Sequence, residues 1–179
     1  MIFLTTALFI SGEIMEPNFQ ALQVIAEVAL GIVGFSAILI GLSRASDGFS
    51  SPDNFRIQLL TYSAFSAMFC ALLPFAIYTN TNPELSWTIT NWILCIISVL
   101  GLLTFPKRML ALRKEGYKKL FPTQVFIFQT SVLSAIFLIS GLMILGYIKA
   151  KANFYVICLM LFLLQSAFAF IRTMFVRIK

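Results

Sequence analysis

Five long apolar runs, each closed by a short polar break, govern what this chain can fold into. They cover roughly residues 19–42, 55–78, 86–105, 124–148 and 154–171. A helix crosses the hydrocarbon of a bilayer in about 20 apolar residues. Lipid offers the backbone no hydrogen bonds, so a spanning run must satisfy its own N–H and C=O groups as a helix. The reading is all-α: a polytopic membrane helix bundle of five transmembrane helices, one integral membrane domain over 1–179. Composition agrees, with 60% hydrophobic and 11% charged residues, against about 45–50% and about 25% in soluble domains.

The breaks carry turn and cap chemistry. Ser51-Pro52-Asp53 offers a capping Ser, a Pro for the first helical position and an acid for the first turn. Asn80-Thr81-Asn82-Pro83 is a turn cluster, and Lys149-Ala150-Lys151-Ala152-Asn153 is a short polar hairpin. Pro106 and Pro122 bracket a basic loop, in which Pro106 is expected to open a short helix and Gly116 to close it.

Five spans put the termini on opposite sides, and basic residues fix the orientation. Arg44, Arg56, Lys107, Arg108, Arg113, Lys114, Lys118, Lys119, Arg172, Arg177 and Lys179 fall on one side; Lys149 and Lys151 fall on the other. Basic residues mark the cytoplasmic side, which predicts N-out and C-in. Tyr78, Trp87, Tyr147 and Tyr155 fall at the outer ends, as an interfacial aromatic belt would. This topology also explains the net charge of +6 without nucleic acid, which is not expected as a partner.

The first residues, MIFLTTALFISGEI, are too short to span and lack the basic region and cleavage site of a signal peptide. Ser11-Gly12-Glu13-Ile14-Met15 can be encoded TCA-GGA-GAA-ATT-ATG, which reads as a bacterial ribosome-binding site ahead of a start codon. Two readings stand: translation begins at Met15 and 1–14 are not translated, or 1–14 form an apolar arm on the outer surface.

One carboxylate, Glu27, lies inside the first span. At about 100° per residue, Gly31, Gly34, Ile38 and Gly41 return to its face, with Gln20 on the same line. Glycines let helix backbones approach, so this face is expected to look toward other helices of the chain or of a second copy. Glu27 lies about 12 Å from the outer end of its span. At similar depth come Cys70, Asn91, Ser140 and Gln165, and no Lys or Arg. Hydrogen bonds to Asn91, Ser140 or Gln165 are therefore its expected support. Two roles fit: a proton- or cation-binding site in a transporter or channel, or a hydrogen-bonded tie between helices.

Ser63, Ala67 and Ala71 form a small-residue packing face in the second span. In the loop 106–122, Lys107, Arg108, Arg113, Lys114, Lys118 and Lys119 are expected to meet anionic headgroups, while Met109, Leu110, Leu112, Leu120 and Phe121 dip into the interface. Cys70, Cys95 and Cys158 sit inside apolar runs and read as small hydrophobes. There is no His, no nucleophile–base pair, no metal cluster and no phosphate loop. No enzyme and no cofactor are expected.

Two resemblances follow. Ala26-Glu27-Val28 followed by glycines, with Ala45-Ser46-Asp47-Gly48-Phe49 after it, resembles the first helix and loop of the small multidrug resistance transporters. That likeness implies Glu27 as a coupling acid; those proteins have four spans, and the spacing here is about nine residues longer. Gly34-Phe35-Ser36-Ala37-Ile38, Arg56 and Leu72-Leu73-Pro74 are similar to small multi-pass bacterial proteins of unknown function. That likeness implies the bacterial inner membrane. A homo-oligomer or an unknown protein partner is the expected mode of action, with ion-coupled transport through Glu27 as the alternative.

Reporter fusions at Thr81 and Lys114 are expected to report opposite compartments, Thr81 outside and Lys114 inside. A shared compartment contradicts the threading.

Overall fold

The computed structural model describes residues 16–44 and 50–175. The Met15 question, Arg177 and Lys179 lie outside the described residues. Five helices follow in order: α1 Phe19–Arg44, α2 Ser51–Ile77, α3 Pro83–Lys114, α4 Thr123–Ile144 and α5 Lys151–Phe175, with a 3-10 turn at Tyr117–Lys119 before α4. Each is long and apolar enough to cross a membrane, and no strand occurs among the described residues. The helices alternate in direction. One end gathers Tyr78, Trp87 and Tyr155; the other gathers Arg56, Phe121 and Arg172.

Local chemistry explains most boundaries. Asn18 caps α1 by accepting from Ala21 N at 3.0 Å. Asn82 caps α3 by accepting from Leu85 N at 3.3 Å, with Pro83 in the first turn. The cap of α2 is Ser50 rather than Ser51; its hydroxyl accepts from Asp53 N at 3.4 Å and donates to the Asp53 carboxylate at 2.5 Å. The expected break at Pro106 does not occur. Helix α3 runs through it to Lys114, so the basic loop is largely the last turns of a long helix. Proline removes one N–H but does not forbid a membrane helix whose neighbours support it. Here Met109 and Leu112, beyond the proline, pack with Phe55, Phe105 and Phe121. They are core residues, as is Phe121, whereas Leu110 stays exposed. Gly116 then turns the chain at φ +103°, a conformation that favours glycine.

The core centres on α2, whose contact with α5 is the most extensive in the bundle. Ser63, Ala67 and Ala71 are wholly buried, as the sequence implied. Two cross-helix hydrogen bonds set the register of α2 on α5: Tyr155 OH to Cys70 O at 2.6 Å and Ser166 Oγ to Leu60 O at 3.2 Å. Trp87 and Tyr155 are not an interfacial belt. Both are buried, with ring centroids 5.5 Å apart, because the starts of α3 and α5 meet there. Of the four, Tyr147 alone is exposed and Tyr78 is half-buried.

Gly101 lets α2 and α3 close. A methyl group there would lie 3.1 Å from the Tyr62 ring, whose hydroxyl donates to Ile97 O. Gly34 on α1 faces open space. Gly101→Val should therefore destabilise the bundle by about 1–3 kcal/mol through overpacking, and Gly34→Val should leave monomer stability nearly unchanged. Thermal unfolding of the two variants in detergent checks the contrast.

Candidate functional site

Helix α1 leans on α2 and, less, on α5. Its buried side is Leu22, Ile25, Ala26, Ala29 and Ser36. Ser36 lies about 180° from Glu27 on the helix. Glu27 and its stripe therefore point away from the bundle. Glu27, Gly31, Gly34, Ile38 and Gly41 are all exposed, and a methyl group on any of the three glycines would meet nothing within 4 Å. The expectation that this face packs against helices of the same chain is not met. The Ala26–Ala29 side offers an equally close approach together with Leu22 and Ile25, and it takes the contact instead. Among the described residues the only hydrogen-bond partner of Glu27 is local: Gln23 Nε2 donates to its Oε1 at 2.9 Å. The four-residue spacing of that pair, which puts both side chains on one helix face, is legible in the sequence. A groove of about 300 Å³ runs beside the pair, between Ala26, Glu27 and Leu30 of α1 and Met68, Leu72 and Phe75 of α2.

Asn91, Ser140 and Gln165 lie in the core, wholly buried, and none of them bonds Glu27. Ser140 Oγ donates to Phe137 O at 2.9 Å. Neither amide end of Asn91 or Gln165 has a hydrogen-bond partner among the described residues, nor does Ser63 Oγ.

The basic end divides its cations by type. Arginines stitch the bundle: Arg108 donates to Gln58, Arg113 donates to Thr123 Oγ1 at 2.9 Å, and Arg172 donates to Leu120 O. Arg56, buried, pairs with Asp53 at 3.4 Å. The guanidinium carbons of Arg56 and Arg172 lie 5.6 and 5.7 Å from the centre of the Phe121 ring. This cluster is not anticipated from the sequence, where the two arginines lie far apart; that both fall near the same membrane end was the available signal. Lys107, Lys114, Lys118 and Lys119 remain exposed. The flat, weakly hydrated guanidinium suits buried pairing and the hydrated ammonium does not.

No group of three or more His, Cys, Asp or Glu that could hold a metal occurs among the described residues. By length and apolarity the helices are those of a multi-pass membrane protein. No protein-family model, curated protein or solved structure matches the chain.

Replacing an unpartnered buried amide with an apolar side chain of similar volume is near neutral or stabilising. Asn91→Leu and Gln165→Met should shift stability by less than about 1 kcal/mol downward, read by thermal or denaturant unfolding. A loss of several kcal/mol would mean that the amides serve an interaction the bundle depends on.

Proposed function

We propose that this is a non-enzymatic protein of the bacterial inner membrane, N-terminus out and C-terminus in, that acts by self-assembly through the outward face of α1. The observation that carries this is the Gln23–Glu27 pair above the open glycines. A carboxyl and an amide turned toward lipid are costly, at about 2.5–3.5 kcal/mol or more for a charged side chain at the helix centre. A second helix on that face removes the cost. The face is self-complementary: each copy brings an amide with two donors and a carboxyl with several acceptor positions. Copies inserted the same way can pair about a two-fold axis along the membrane normal, with Gly31, Gly34 and Gly41 admitting the partner backbone. Anionic headgroups would meet Lys107, Lys114, Lys118 and Lys119 at the basic end.

The test is oligomeric state in nanodiscs or mild detergent, by light scattering and single-molecule photobleaching. The expected result is a dimer whose dissociation constant rises about 3- to 30-fold in Glu27→Leu, the equivalent of an interhelical hydrogen bond of about 0.6–2 kcal/mol. Gly34→Leu should be monomeric yet folded. A monomeric wild type at all concentrations contradicts the reading.

A second reading has one observation behind it: Glu27 forms part of the wall of the groove between α1 and α2. A proton- or cation-coupled transporter would use the acid there. Ion flux in proteoliposomes that is lost in Glu27→Gln, with assembly intact, would support it. Absence of flux in the wild type would count against it.

A further inference from the structure

A second groove, independent of α1, lies between α2 and α3 and has a volume of about 700 Å³. Its α2 wall includes the helical stripe Asn54, Gln58, Thr61, Phe65 and Phe69, with Ile57, Tyr62 and Ser66 beside it. The stripe changes character along its length. Its first three residues, at the basic end, are polar, and its last two, deeper, are phenylalanines. The α3 wall is apolar. Ile97 and Phe105 line the groove, and Arg108 follows at the basic end, donating to Gln58. Arg108 makes no other hydrogen bond or ion pair among the described residues, and a guanidinium carries five donors. No carboxylate lines the groove; the nearest in sequence, Asp53, is engaged by Ser50 and Arg56.

The geometry points to a bound glycerophospholipid with an anionic headgroup. Its phosphate lies on Arg108, beside Asn54 and Gln58, and an acyl chain runs over Phe65, Phe69 and Ile97. Length supports this occupant. Asn54 to Phe69 spans 15 residues, about 22 Å of helix, and one leaflet with its headgroups is about 20–22 Å deep. The two amides of this wall, Asn54 and Gln58, lie beside Arg108 where a headgroup would sit, and Phe65, Phe69 and Ile97 lie where a chain would run. The surrounding lysines raise the local concentration of anionic lipid, but among the described residues Arg108 is the one cation bonded to a groove residue, Gln58.

The test is native mass spectrometry of protein extracted from vesicles of equal parts phosphatidylglycerol and phosphatidylcholine. Wild type should retain one phosphatidylglycerol over phosphatidylcholine by about fivefold, the worth of one basic side chain at the membrane surface. Arg108→Gln should bring the ratio near one, and Lys114→Gln, away from the groove, should leave it unchanged. Thr61→Trp, which fills the groove without changing charge, should lose both lipids while keeping wild-type helicity. A wild-type ratio near one, a ratio unaffected by Arg108→Gln, or lipid retained in Thr61→Trp overturns the site. So does a lipid-free dimer that Thr61→Trp dissolves, which would assign the groove to a second copy.

Discussion

The close approach of α2 and α5 is the contact on which the rest of the bundle depends. Ser63, Ala67 and Ala71 are all wholly buried on α2, and small side chains are what let membrane helices close in the absence of a hydrophobic drive. Two hydroxyls then lock the register onto backbone carbonyls. With α2 held this way, α3 comes in over Gly101, and α1 is left to lean on the outside of the pair. Its position at the rim, more than any property of Glu27 itself, decides that the acid faces outward.

That outward position changes what the acid means. Inside the bundle Glu27 would have joined Asn91, Ser140 and Gln165 in a polar core. On the outer face it stands with Gln23 at 2.9 Å above glycines that nothing covers. Polar groups in hydrocarbon are stabilised by whatever satisfies them next, and a copy of the same face supplies both a donor and an acceptor. The buried amides, by contrast, have no partner among the described residues and contribute little as helix ties in this arrangement.

The number and approximate limits of the helices were legible because bilayer thickness sets a length that apolar runs either reach or do not. The turn over Asn80–Pro83 and a cap near Ser50 were legible from side-chain chemistry; that Asn82 itself caps the next helix is shown by its bond from Leu85 N. Facing was harder. Lipid and protein core are alike to an apolar side chain, so hydropathy does not say which side of α1 is buried. Glycines suggest one face and Ala26, Ala29 and Ser36 the other, and only the second is used within the chain. Pro106 lacks an N–H and its ring crowds the preceding turn, but Met109 and Leu112 beyond it are held in a buried aromatic cluster, and the helix continues through it. The Arg56–Phe121–Arg172 grouping joins residues remote in sequence, and no local pattern announces it.

Cysteine scanning of α1 with an oxidant, on a background in which Cys70, Cys95 and Cys158 are replaced, tests the central claim most directly. Disulfide-linked dimers are expected to peak with helical period at positions 27, 31, 34 and 38 and to be minimal at Ala29 and Ser36. Absence of cross-links along the helix, or maxima on the Ala29–Ser36 side, would contradict the account.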